Sequence, residues 1–143
     1  MMRDMGIKYR RGYKYQLAED YTVQTGIIRN MKPRYIIETE FITLFPDGTL
    51  FIRKGYACDG ASGPAIDTKN IMRGAFIHDA LYQLLRQGHL HIERREQADK
   101  ELKRICLEDG MSKVRAWWVY RGVRRFAKFA ALPENKKKIL EAP

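Results

Sequence analysis

The first half of the chain is rich in aromatic and β-branched residues, which favour β-strands. Tyr13–Leu17 and Tyr35–Phe45 have this composition and show no helical period. Between Ile42–Leu44 and Leu50–Ile52, residues 45–49 read Phe-Pro-Asp-Gly-Thr, with proline and glycine where a tight turn needs them. The pattern therefore predicts a β-hairpin at this position.

In the second half, apolar residues recur with a helical period. Asn70 is placed to cap a first helix over Ile71–Arg86, and Gly88 to end it. A second helix is predicted from Glu93 to Glu108, ahead of Gly110, and a third from Ser112 to about Phe129.

Strands followed by helices predict an α+β fold. We expect N-terminal antiparallel hairpins or a small sheet, then a three-helix C-terminal part that includes an antiparallel helix pair. No internal repeat or flexible linker divides the sequence. We therefore expect a single domain over residues 1–132 and a basic tail over residues 133–143.

A glycine-rich segment joins the two halves. Residues 55–64 read Gly-Tyr-Ala-Cys-Asp-Gly-Ala-Ser-Gly-Pro. Glycine adopts backbone conformations that are closed to other residues, so a shaped loop is predicted that turns its own polar groups toward a neighbour.

Length and composition narrow the classes of protein. The 143 residues fit one ordinary domain with one core, and no apolar run is long enough for a membrane span. The N-terminus has no signal-peptide core, so no secretion is expected. Two cysteines, Cys58 and Cys106, cannot form a disulfide scaffold, which fits a reducing compartment.

The net charge of +10 predicts an anionic partner. From residue 111 onward, nine Lys and Arg stand against two Glu, a net of +7, which leaves +3 for the first 110 residues. The excess charge is therefore a C-terminal feature.

Two polar residues, His78 and Asp79, interrupt the almost wholly apolar first helix. A buried imidazole or carboxylate needs a partner. If the first two helices form an antiparallel hairpin around residues 88–90, Asp99 lies level with His78. An aspartate that accepts a hydrogen bond from His Nδ1 leaves Nε2 as a base, and Tyr82, one turn on, can donate to the same aspartate. The competing interpretation is a core histidine whose hydrogen bonds are merely structural.

Asp79 is expected to face the glycine-rich loop. Its carboxylate, with Asp59 and the backbone of Gly60, would suit calcium, a hard cation that prefers oxygen ligands. Zinc is disfavoured because no two cysteines are closely spaced, and a Cys58–His78 nucleophilic pair has still weaker support.

The third helix carries most of the excess charge. A helical projection groups Lys113 with Trp117, Arg121, Arg124, Arg125 and Lys128, and places Trp118, Val119 and Val123 on the remainder. A solvated charged face is the simplest interpretation. Tryptophan among arginines also suits a lipid interface, a nucleic-acid backbone or an acidic protein.

Four successive motifs resemble a phage and prophage family known as domain of unknown function number 1353. They are Gly55–Pro64, His-Asp-Ala-Leu-Tyr from His78, Ala98-Asp99, and Arg115-Ala116 with Tyr120 and Val123-Arg124. The resemblance covers about residues 13–127. It implies a bacteriophage origin, hence the host cytoplasm or the virion as location, and it supplies no activity.

The His-Asp-x-x-Tyr string after a glycine-rich loop is also similar to the site of secreted phospholipase A2. That similarity implies His78 as the base, Asp79 as a calcium ligand, and Tyr82 and Asp99 as supports. The disulfides of those enzymes are absent, and the loop sequence is not theirs.

Three functions follow as hypotheses. The first is a calcium-dependent lipid or ester hydrolase that acts at an anionic membrane of the host envelope. The second is a non-catalytic virion component, of head or tail, that docks on other virion proteins through its basic helix. The third, nucleic-acid binding, rests on charge alone.

Overall fold

The structure, a computed structural model, describes residues 7, 9–10, 15–28, 35–58 and 68–132. In this part of the chain, seven short strands precede three helices. The strands are β1 (Tyr9–Arg10), β2 (Tyr15–Leu17), β3 (Tyr21–Gln24), β4 (Ile37–Glu38), β5 (Ile42–Leu44), β6 (Thr49–Ile52) and β7 (Ala57–Cys58). The helices are α1 (Lys69–Arg86), α2 (Arg95–Glu108) and α3 (Lys113–Phe126), with 3₁₀ turns at Ile92–Arg94 and Lys128–Ala131. The predicted α+β class is confirmed.

The strands form two antiparallel sheets, in the orders β1-β2-β7 and β3-β6-β5-β4. The predicted hairpin is β5 and β6, with Leu44 opposite Leu50. Its turn requires glycine at position 48, where φ is +95° and a Cβ would lie 2.4 Å from the carbonyl oxygen of Thr25.

Two strand predictions need correction. Tyr35–Phe45 is not continuous, because Thr39 closes a local turn: its N–H and hydroxyl both donate to the carbonyl of Ile42 and separate β4 from β5. Strand β3, which pairs along β6, was not predicted, because two of its four residues are polar. Of the predicted strand Tyr13–Leu17, residues 15–17 form β2 and residues 13–14 lie outside the described part.

The three predicted helices are present, and α1 and α2 form the predicted antiparallel pair. The position of the α1 cap was wrong. Thr68 occupies it, and the side chain of Asn70 instead accepts a hydrogen bond from Arg115 of α3. Ser112 caps α3 by accepting from the N–H of Arg115. The helices therefore end and begin close to the predicted residues. The predicted tail, residues 133–143, lies outside the described residues.

Helix α1 is the centre of the core. Thirteen of its 18 residues are buried, because the helix packs against α2, the second 3₁₀ turn and β7. Gly74 permits the close approach to α2: a Cβ there would lie 2.9 Å from Leu102 Cδ1 and 3.2 Å from Cys106 Sγ. In the described residues, no helix is long and apolar enough to cross a bilayer.

A buried arginine ties the larger sheet to the helices. The side chain of Arg73 in α1 donates to the Tyr21 hydroxyl of β3 at 2.8 Å, to Glu108 at 2.6 Å and to both oxygens of Asp109. Burial opposes its charge, and these partners nevertheless raise the pKa of Arg73 above its usual value. The ion cluster fixes the sheet against the end of α2.

We expect Gly74→Ala to lower the free energy of unfolding relative to Gly122→Ala. Both substitutions gain about 1 kcal/mol of helix propensity, but Gly122 in α3 has no atom within 4 Å of its added Cβ. The difference in free energy of unfolding between the two variants therefore reports the steric cost at the α1–α2 contact, which we expect to be about 1–3 kcal/mol. Urea denaturation of the two variants measures it, and equal stabilities would contradict the close packing.

Candidate functional site

The site is built around the carboxylate of Asp99, which is fully buried in α2. His78 Nε2 of α1 lies 2.7 Å from Asp99 Oδ1, and the hydroxyl of Tyr82 donates to the same oxygen at 2.6 Å. The two rings lie beside each other, with centroids 4.2 Å apart. The antiparallel pairing of α1 and α2 thus brings together the three residues that were predicted as catalytic.

The nitrogen of His78 that contacts Asp99 differs from the predicted one. We expected Nδ1, and the structure has Nε2. An ionised aspartate only accepts hydrogen bonds, so Nε2 carries the proton and, in the neutral ring, Nδ1 is the basic nitrogen. No described residue makes a hydrogen bond to Nδ1. The His78 side chain as a whole is 9% exposed.

Two arginines complete the surroundings of Asp99. Arg124 of α3 donates to Asp99 Oδ2 at 2.9 Å. Arg95, one turn before Asp99, lies 4.0 Å from the same oxygen and donates its Nε–H to the Tyr82 hydroxyl at 3.0 Å. Arg95 also donates to the carbonyls of Val123 and Arg124 at the end of α3, where the helix dipole favours a cation. The network therefore joins all three helices.

The protonation states follow from these contacts. Burial opposes ionisation of Asp99, but hydrogen bonds from His78, Tyr82 and Arg124 outweigh it and hold the pKa of the carboxyl below its usual value. Burial, with the neighbouring Asp99 charge, raises the pKa of Tyr82, so its hydroxyl keeps the proton that it donates. Asp99 is thus a buried carboxylate at neutral pH.

Asp79 faces the start of the glycine-rich segment, as predicted. The Tyr56 hydroxyl donates to Asp79 Oδ2 at 2.5 Å, and burial followed by the Asp79 charge raises the pKa of Tyr56 well above its usual value. Nearby, Cys58 Sγ lies 3.7 Å from the carbonyl of Ala75. Strand β7 therefore ends beside the turn of α1 that precedes His78.

The described residues do not by themselves make a calcium site. Calcium takes six to eight oxygen ligands, whereas Asp79 supplies one carboxylate whose Oδ2 already accepts from Tyr56. In the described part of the chain, no three His, Cys, Asp or Glu side chains form a group that could hold a metal. The other predicted ligands, Asp59 and Gly60, lie outside the described residues.

The predicted binding residues of α3 separate into two sets. Those that point outward form what we call the α3 outer face, together with Val114 and Trp118, which the sequence had not placed there. Its members are Val114, Trp117, Trp118, Arg121 and Arg125 of α3, and Lys128 of the following 3₁₀ turn. Arg124 points inward to Asp99 and is not part of this face. Trp118 is 63% exposed and does not cover the core.

A family model for proteins of unknown function, DUF1353, matches residues 37–123, more than half of the chain. The chain belongs to the DUF1353 family. The matched region holds Tyr56, His78, Asp79, Tyr82 and Asp99, and it ends one residue before Arg124. Comparisons with curated proteins and with solved structures returned no match.

In this DUF1353 protein, Arg95 and Tyr56 were not predicted as site residues, and Arg124 was predicted only as a binding residue of the basic face. Arg95 stands four residues before Asp99 in α2, a spacing that places both on one helical face and could have indicated it. Arg124 was assigned outward because a helical projection groups it with the basic face. No sequence signal places the Tyr56 hydroxyl on Asp79, because the segment before β7 meets α1 there through tertiary packing.

We expect Asp99→Asn to lower the free energy of unfolding at pH 7 by about 3 kcal/mol, since it removes the carboxylate from a buried ion pair. The folded pKa of Asp99 lies below its unfolded value of 3.8, so the stabilisation is fully present above about pH 4 and is lost as the pH falls through the folded pKa. The gap between wild type and variant should therefore narrow in acid, as urea denaturation at several pH values would measure.

A matched control lies on the same helix. Glu96 makes an exposed ion pair with Lys100 at 3.3 Å, so Glu96→Gln should cost less than about 1 kcal/mol. If the difference in free energy of unfolding between wild type and Asp99→Asn stayed constant from pH 7 to pH 3, the ionised carboxylate would not be what stabilises the fold.

Proposed function

We propose that this protein is a bacteriophage-encoded ester hydrolase, with phospholipid as its substrate class and the host envelope as its place of action. The observation that carries the proposal is the contact of His78 Nε2 with Asp99 Oδ1 at 2.7 Å, supported by Tyr82 on the same oxygen. An imidazole oriented by a buried carboxylate is the common arrangement for activating water. The similarity to the phospholipase A2 motif adds the substrate class.

In the proposed step, His78 Nδ1 accepts a proton from a water molecule while the water oxygen attacks the ester carbonyl carbon. The tetrahedral intermediate then breaks its bond to the alcohol oxygen, and the imidazolium returns the proton to that oxygen. The products are a carboxylic acid and an alcohol. Asp99 holds the ring through Nε2, and Tyr82 holds Asp99.

We expect the protein to release fatty acid from phosphatidylglycerol vesicles and His78→Asn to lower the rate by about 10²–10⁴-fold, the usual contribution of a general base. The matched control is His89→Asn, since His89 is exposed between α1 and α2, and its rate should equal wild type. Fatty-acid release is followed with calcium and with a chelator. No release by wild type under both conditions, or equal release by a folded His78→Asn variant, excludes the hydrolase.

A second candidate is a non-catalytic virion component that docks through its basic helix. It is favoured by the two arginines at Asp99, because they engage the carboxylate in a buried network of the kind that holds helices together. In this case the network is a clamp that joins three helices. Presence in purified virions at fixed stoichiometry, together with no loss of assembly in His78→Asn, supports this alternative.

A further inference from the structure

Three large apolar side chains lie exposed on the α3 outer face. Val114 is 70% exposed, Trp118 63% and Trp117 45%. The two indole rings meet edge to face, with centroids 4.9 Å apart. They are the only two tryptophans in the chain. Such a cluster in water costs free energy unless a partner covers it.

Basic side chains run through the same face. The guanidinium of Arg121 lies 5.5 Å from the centroid of the Trp117 ring, and Arg125 and Lys128 are exposed further along. Helix α3 contains no Asp or Glu. A partner must therefore accept both apolar rings and positive charge over one continuous strip.

We propose that the α3 outer face binds the surface of a bilayer that contains anionic phospholipid. At such a surface, tryptophan rings enter the boundary between headgroups and acyl chains, while Arg and Lys contact lipid phosphates. A nucleic-acid backbone would use the charge and leave Val114 and Trp118 in water. The pairing of apolar and basic groups is what favours lipid.

A membrane-binding face extends the proposed hydrolase function, because it would bring the protein to its substrate. This part of the proposal rests on that function. Arg124, which donates to Asp99, is in the same helix. Trp117 lies two turns before it, about 10 Å along the axis. A bilayer on the outer face would therefore hold the protein at a phospholipid surface, and α3 would join that surface to the Asp99 network.

Tryptophan fluorescence reports directly on this face, because both indoles belong to it. Vesicles of ether-linked phosphatidylglycerol and phosphatidylcholine contain no carboxylic ester, so binding is measured without hydrolysis. We expect a blue shift with the anionic mixture at low salt and a much smaller one with ether-linked phosphatidylcholine alone. No shift with anionic vesicles, or an equal shift with both, overturns the proposal.

Variants separate the face from the overall charge. Each basic residue at an anionic surface contributes about fivefold in affinity, so Arg121→Ala/Arg125→Ala should weaken vesicle binding roughly thirtyfold. The matched control is Lys54→Ala/Lys100→Ala, which removes the same charge from exposed positions elsewhere and should weaken binding much less. Equal losses in the two double variants would show that net charge alone acts.

Two further measurements keep the outcomes distinct. The double variant Trp117→Ala/Trp118→Ala should no longer co-sediment with vesicles. For the wild type, a larger blue shift with duplex DNA than with vesicles would assign the face to nucleic acid and overturn the proposal. Hydrolysis of a monomeric short-chain phospholipid tests the dyad without a bilayer. Hydrolysis of the short-chain phospholipid without vesicle binding would reject the membrane-binding face and keep the hydrolase function. Vesicle binding without hydrolysis would reject the hydrolase function alone.

Discussion

The fold of the helical half depends on keeping one negative charge inside it. Asp99 has no exposed surface, yet it stays ionised. An unpaired carboxylate at that depth would cost several kcal/mol, so each neighbouring helix must bring a donor. Helix α1 brings His78 and Tyr82, and α3 brings Arg124, whereas Arg95 in the helix of Asp99 itself adds a positive charge 4.0 Å from the carboxylate. The relative positions of the three helices are thus fixed by hydrogen-bond geometry as well as by apolar packing.

The same constraint explains what could be predicted from sequence. Asp99 was predicted level with His78 because a short turn between two antiparallel helices restricts their register, and a buried imidazole needs a partner. The hairpin of β5 and β6 was predictable because Pro46 and Gly48 suit a tight turn between two apolar segments. In both cases the structure is determined by residues close in sequence or by the short turn that joins two neighbouring elements.

The features that were missed depend on contacts between distant segments. A helical projection gives only the approximate direction of the Arg124 side chain. The side chain points inward because the buried carboxylate of Asp99, on another helix, attracts it. Trp118 is outward because α3 packs on α2 from one side, which projection cannot reveal. The choice between the two nitrogens of His78 depends on where α2 approaches the ring, a displacement of a few ångströms that register alone does not fix.

Arg95 links the end of α3 to the same network through the carbonyls of Val123 and Arg124. The orientation of α3 and the hydrogen bonding of Asp99 are therefore not independent variables. By thermodynamic linkage, any ligand whose affinity depends on the orientation of α3 must change the proton affinity of Asp99, and protonation of Asp99 must change the affinity for that ligand by the same factor. In this fold a contact on the outside of one helix and a proton at the centre of the molecule belong to a single equilibrium.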